Sequence, residues 1–222
     1  MQRIISVSVM CSDLMHFGRD IDELAKYGVD WLHVDVMDAH FVPNLTFGPD
    51  AVKAMQRYTA LPLDIHLMVE NPEQFLSFIE LRKGDILSSH VELDRSFEAL
   101  SAEVHSKGAL FGLAINPETP VEAMEAHIPY IDTVTVMTVR PGYAGGKLVE
   151  GIMEKVGDMR RFLDSHGGSH IRISVDGSVS CERAEYMASL GASIFVGGTA
   201  GIYRKGMELK DTIPAFRAAI SK

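Results

Sequence analysis

Residues 31–38 read WLHVDVMD, and the run changes character at every second residue. Successive side chains of an extended chain point to opposite faces, so His33, Asp35 and Met37 share one face while Val34 and Val36 take the other. The valine face asks for the apolar cover that crossover helices supply, and the face with an imidazole and a carboxylate looks into a closed sheet. Residues 63–69, LDIHLMV, repeat the design, with Asp64, His66 and Met68 together and Ile65 and Leu67 opposite. Residues 172–178, RISVDGS, do so again: Ser174 and Asp176 face away from Ile173 and Val175.

Similar short, apolar runs recur along the chain, at 4–9, 31–37, 63–69, 86–91, 110–115, 133–139, 171–176 and 193–197. Helical stretches fit between them, for example at 20–27, 72–81, 97–106, 121–126, 151–166 and 181–190. Strands that alternate with crossovers predict a parallel α/β sheet, and eight of them suit a closed (β/α)₈ TIM barrel better than an open doubly wound sheet. No linker or shift of composition divides the chain, so one barrel domain over residues 1–222 is expected. In such barrels chemistry gathers at the C-terminal ends of the strands, which is where the polar residues above fall.

The 222 residues are 46% hydrophobic, enough for a large core, and carry a formal net charge of -9 with a pI near 5.4. An acidic chain lacks the basic footprint that nucleic acid requires, but small anions remain open to it where backbone dipoles gather locally. Two cysteines, Cys11 and Cys181, make no disulfide scaffold and no metal knuckle. Neither a secretory signal pattern nor an apolar run long enough for a membrane span is visible, so a cytoplasmic protein is expected.

His33, Asp35, His66 and Asp176 converge at one rim. Two imidazoles and two carboxylates suit one borderline divalent ion such as Zn²⁺, Fe²⁺, Mn²⁺ or Co²⁺ better than Ca²⁺ or Mg²⁺, and the alternative is a polar layer bonded to itself without metal. With an ion to stabilise enediolate oxygens, Asp35 and Asp176 could remove a proton beside a carbonyl and return one to the opposite side, which gives an epimer. Met37, Met68 and Met137 either fill the interior or form an apolar, polarisable cover over a planar intermediate. Residues 140–148, RPGYAGGKL, and 196–203, VGGTAGIY, are glycine-rich turns able to approach an anion, and Gly177, Ser178, Gly198 and Thr199 sit where such barrels hold phosphate.

The remaining candidates take structural roles. His16, His105, His127, His166 and His170 belong to helix or loop regions, and His40 to the loop after strand two. His90 is expected to make structural hydrogen bonds near the end of strand four. Asp38 and Asp64 are expected to orient neighbours of the cluster.

The segments VSVMCSDL, HVDVMDAHFVPNLTFGP, DIHLMV, INPETPVEAM, VTVMTVRPGYAGG, ISVDGS and VGGTAGIY, in this order, resemble the ribulose-phosphate 3-epimerase family over nearly the whole chain. The resemblance implies a ribulose-phosphate-binding (β/α)₈ barrel, His33, Asp35, His66 and Asp176 as metal ligands, and Asp35 and Asp176 as the acid/base pair. It further implies substrate contacts from Ser8, His66, the loop Gly142, Tyr143, Ala144 and Gly145, and Gly177, Ser178, Gly198 and Thr199. The substrate would be a small ketose phosphate and the assembly a homo-oligomer. CSDL, NPETPVEAM, TVMTV, VDGS and GTAG look closer to the allulose-6-phosphate 3-epimerase branch than to the ribulose-5-phosphate enzymes.

Three positions depart from the family pattern. Ala39 replaces a usual glycine, Arg140 a usual Asn or Asp, and Gly146-Lys147 a common Gly-Gln. A decarboxylase of the orotidine-phosphate type would need an Asp-x-Lys-x-x-Asp pattern and a Schiff-base aldolase a strand-end lysine, and neither is present. A non-catalytic sugar-phosphate sensor is the remaining alternative.

Overall fold

The computed structural model describes residues 2–222. Eight parallel strands close into a barrel in chain order: β1 Ile4–Ser8, β2 Trp31–Met37, β3 Leu63–Met68, β4 Ile86–His90, β5 Leu110–Ile115, β6 Thr133–Met137, β7 Arg172–Asp176 and β8 Ala192–Gly197. The helices are α1 Phe17–Lys26, α2 Pro49–Tyr58, α3 Pro72–Leu76, α4 Glu98–Ser106, α5 Ile152–Ser165, α6 Cys181–Ser189 and α7 Leu209–Ile220. No helix among the described residues is long and apolar enough to cross a membrane.

The alternation in the strands sorts the two faces. Val34, Val36, Ile65, Leu67, Ile173 and Val175 are buried in the apolar cluster between sheet and helices. Full burial of such a side chain contributes roughly 1.5–3 kcal/mol. The opposite faces turn inward, and strand register stacks them: His33 pairs with Asp64, Asp35 with His66 and Met37 with Met68 across β2 and β3. On the other side of the barrel Met137 of β6 pairs with Asp176 of β7.

Two crossovers differ from the sequence expectation. The stretch predicted as a helix over 121–126 is a 3₁₀ segment running Val121–Tyr130, with Met124 and Ile128 buried. Pro129 within it lacks an N–H and its ring crowds the preceding turn, which disfavours a regular α-helix. The helix predicted over 72–81 stops at Leu76, after which Phe78 and Ile79 donate to Phe75 and Leu76 in tighter turns. Both α2 and α7 stand outside the helices named from sequence; α2 carries proline at its first position, where the missing N–H costs nothing.

Candidate active site

β2, β3 and β7 each end in the barrel mouth, and together they bring His33, Asp35, His66 and Asp176 within reach of one another. One donor atom from each lies within 4.8 Å of the others. His33 Nε2 is 3.3 Å from Asp35 Oδ1 and 3.7 Å from Asp176 Oδ2, and His66 Nδ1 is 3.6 Å and 3.7 Å from the same oxygens. Both nitrogens are buried and without a hydrogen-bond partner. A buried polar atom without a partner is costly, so two of them aimed at paired carboxylates fit a divalent cation at their centre. The mixed nitrogen and oxygen set is of the borderline kind expected from sequence.

The other ring nitrogens fix the imidazoles. His33 Nδ1 lies 2.8 Å from Asp64 Oδ2, which also accepts from Ser6 Oγ at 2.8 Å. Asp64 thus orients a neighbour, as its place on β3 predicts. His66 Nε2 is 2.8 Å from His90 Nε2, and His90 Nδ1 is 3.0 Å from Glu92 Oε2. Glu92 Oε1 in turn accepts from the Asn116 amide and from Thr119 Oγ1, each at 2.7 Å. Burial pushes His90 down to about 4, so near neutral pH it carries one proton. The carboxylate of Glu92 can only accept, so that proton sits on Nδ1, and His90 Nε2 accepts from His66 Nε2–H. His66 Nδ1 is left with its lone pair toward the cluster, the form a metal ligand needs.

This chain of contacts extends what the sequence reading gave His90. The signal was present, since His90 occupies a strand end as His33 and His66 do, and Glu92 follows it by two residues. Asp38 differs from its expectation. It accepts from the amides of His40, Phe41 and Glu70 at 2.8–2.9 Å and so fixes the loop after β2 rather than a member of the cluster. Next to it Ala39, which stands where the family has a glycine, adopts φ 62°, a left-handed conformation that strains a residue with a Cβ.

The two carboxylates differ in proton affinity. Burial alone would raise Asp35, but the charge of His33 and the close approach of the His33 and His66 rings outweigh it and hold the carboxyl well below its ordinary range. Asp176 is raised by burial; the lowering effect of His33 is opposed by the nearby charge of Asp35. His33 would be lowered by burial, yet the carboxylates of Asp64 and Asp35 hold it well above its usual value.

Over the cluster lies a cavity of about 540 Å³, its open mouth included. Asp35 and Asp176 reach it, Met37, Met68 and Met137 line it, and so do Ser8, Gly142, Tyr143, Ala144, Gly145, Gly177, Ser178, Gly198 and Thr199. His33 and His66 lie below its floor, almost wholly buried. Ser8 Oγ donates to Asp35 Oδ2 at 2.8 Å. Met10 and Cys11, which stand on no chemical motif, line the cavity as well, and burial raises the Cys11 thiol, which keeps it protonated.

The rim is held by its loops. Asn44 Nδ2 donates to Gly142 O at 2.7 Å and Tyr143 OH to Pro43 O at 2.9 Å, so the loop after β6 is clasped to the loop after β2. Arg140 pairs with Glu118 at 2.6 Å and ties the same loop to the turn after β5. Gly177 has φ 109°, and a Cβ there would come within 2.5 Å of Val139, so this turn needs glycine. Ser178 follows at φ 51°.

A family model described as the Ribulose-phosphate 3 epimerase family matches residues 4–202. The ribulose-phosphate 3-epimerase of Bacillus subtilis is 36% identical over 196 residues, 88% of this chain and 90% of that one. That of Rhodobacter capsulatus is 38% identical over 202 residues, 91% of this chain and 86% of its own. Among solved structures, orotidine 5'-phosphate decarboxylase from Pyrococcus horikoshii superposes with a TM-score of 0.65 at 12% identity, covering 99% of this chain and 100% of that one, a likeness of fold alone. Sequence similarity along almost the whole barrel therefore shows that this chain belongs to the ribulose-phosphate 3-epimerase family.

Proposed function

We propose that this chain, by family a ketose-phosphate 3-epimerase, inverts carbon 3 of a phosphorylated 2-ketose with Asp35 and Asp176 as the proton carriers. The observation that carries the reading is the pair of carboxylates facing each other over one buried cluster at the cavity floor, from β2 and β7 with β1 and β8 between them. One of the two takes the proton from carbon 3 and the other delivers one to the opposite side, Asp35 being the carboxylate of lower and Asp176 that of higher proton affinity. In the reverse direction the roles exchange.

His33 Nε2, His66 Nδ1, Asp35 and Asp176 would hold a divalent ion, which supplies positive charge against the oxygens of the enediolate. Ser8 orients Asp35 through its hydrogen bond. Met37, Met68 and Met137 cover the plane of the substrate, exclude water and offer no competing acid. Gly142, Tyr143, Ala144 and Gly145, with Gly177, Ser178, Gly198 and Thr199, receive the phosphate at the far end of the cavity.

For the substrate, the favoured reading is D-allulose 6-phosphate to D-fructose 6-phosphate, which rests on CSDL, NPETPVEAM, TVMTV, VDGS and GTAG. The names of the relatives favour D-ribulose 5-phosphate to D-xylulose 5-phosphate as the second. Turnover of both with defined metals separates them: a kcat/KM higher for the pentulose phosphate removes the hexulose reading. For the reaction itself, Asp176→Asn should lower turnover on either substrate by about 10³ or more, while inorganic phosphate still binds. Turnover within tenfold of wild type would remove Asp176 from the mechanism.

A further inference from the structure

A protein of net charge -9 that presents two aspartates in its cavity must still attract a phosphate dianion to the same cavity. None of the side chains lining that cavity is a lysine or an arginine. The divalent ion proposed above would be held by the two aspartates, and at the phosphate end backbone N–H groups and hydroxyls can bond an anion but bring no net charge of their own. A cation near the phosphate loops would supply it, and one stands immediately behind the wall.

Arg183, in the first turn of α6, donates through Nη1 to Ser178 O at 2.7 Å and to Ser178 Oγ at 2.9 Å. It forms no ion pair among the described residues, unlike Arg140, Arg160 and Arg217, whose charges are taken up by Glu118, Asp164 and Asp30. Its placement is also defined, because the same residue's amide is bonded by the Ser180 side chain that caps α6. Ser178 itself lines the cavity in a left-handed conformation that a serine adopts only when its surroundings impose it.

We propose that Arg183 is a positioning residue for the phosphate end of the substrate and acts through Ser178. This rests on the reading above that the loops after β7 and β8 receive the phosphate. The guanidinium occupies a lone pair of Ser178 Oγ, so the serine's O–H is free to donate into the cavity and is polarised toward doing so. It also holds the carbonyl of Ser178 outward, which helps keep the residue at φ 51°. The positive charge then stands one hydroxyl away from the anion, with no carboxylate among the described residues in ion-pair contact with it.

The test uses the metal-loaded enzyme and its ketose phosphate, with inorganic phosphate as a competing probe. In Arg183→Gln, KM should rise about tenfold and the inhibition constant of phosphate by a similar factor, while kcat changes less than twofold. Arg183→Lys should recover part of the loss, because it keeps the charge but not the planar fork. Ser178→Ala should raise KM as well, and the double variant should be no worse than the more affected single one, since both act along one path. Wild-type values of KM and phosphate inhibition in Arg183→Gln overturn the proposal, and so does a parallel fall of kcat and metal affinity in both Arg183 variants. Failure of the underlying phosphate reading looks different: wild type itself would ignore inorganic phosphate and would process the ketose and its phosphate with equal kcat/KM.

Discussion

Asp64 has no donor in the four-residue cluster, yet the direction of one of its imidazoles depends on it. His33 can rotate about its side-chain bonds unless Nδ1 is held, and Asp64, itself held by Ser6, is what holds it. On β3 it lies on the same face as His66, two residues earlier, so it points inward one layer deeper in the barrel, where it is buried from water. Asp64→Asn keeps the size and an acceptor oxygen but removes the charge that favours a donating Nδ1–H. Metal affinity should fall about 10- to 100-fold, read by competition with a chromogenic chelator, while Asp35 and Asp176 remain in place. Wild-type affinity in this variant would mean that packing alone orients His33.

Period-two alternation made the strands the most legible elements. WLHVDVMD, LDIHLMV and RISVDGS each assigned one face to the helices and one to the interior, and β2, β3 and β7 follow that assignment residue by residue. Crossovers were less legible, because where a helix stops depends on how the chain turns back to the sheet. The 3₁₀ form of Val121–Tyr130 and the early end of α3 at Leu76 are of this kind. The clustered His33, Asp35, His66 and Asp176 are legible in the sequence because they sit on strands, and His90 makes the structural hydrogen bonds expected of it; the link from Glu92 to Asn116 and Thr119 and the hold of Arg183 on Ser178 depend on contacts that no local pattern encodes. Asp38 shows what a loop adds at this scale, since it joins the turn after β2 to the start of the segment after β3 through three amides. Those amide bonds, against the opposing effect of burial, lower its pKa from the ordinary 3.8. A carboxylate whose folded-state pKa is lowered stabilises the fold fully above its unfolded value, and the contribution is lost as pH falls through the folded value. Asp38→Ala should therefore cost about 2 kcal/mol near neutral pH, and the gap between its Tm and that of wild type should narrow only below pH 3.8. A gap that is constant from neutral to acid pH would assign the loss to packing of the side chain instead.

For the molecule as a whole, the floor of the barrel mouth is the place where charge and stability meet. Asp35, Asp64 and Asp176 bring three carboxylates into the buried floor of a protein that is already acidic, with the imidazoles of His33 and His66 nearest to them. Desolvation disfavours every charge in that group, and only pairing offsets it. An ion held by residues from β2, β3 and β7 would also bind the folded barrel and not the unfolded chain, because its ligands come together only when these three strands close into one sheet. Binding should then stabilise the fold by about 4 kcal/mol when free metal is 1,000 times its dissociation constant. For a chain of this length that corresponds to a rise in Tm of roughly 8–16 °C. Treatment with chelator should lower Tm by that amount, and Zn²⁺, Mn²⁺ or Co²⁺ should restore it in wild type but not in a His66→Ala variant. The comparison has a sign that a surface effect would not produce: His66→Ala also relieves nothing of the carboxylate crowding, so its chelator-treated form should melt at or below that of wild type, and the two should diverge further as metal is added. Equal responses to metal in both proteins would place the stabilising ion elsewhere.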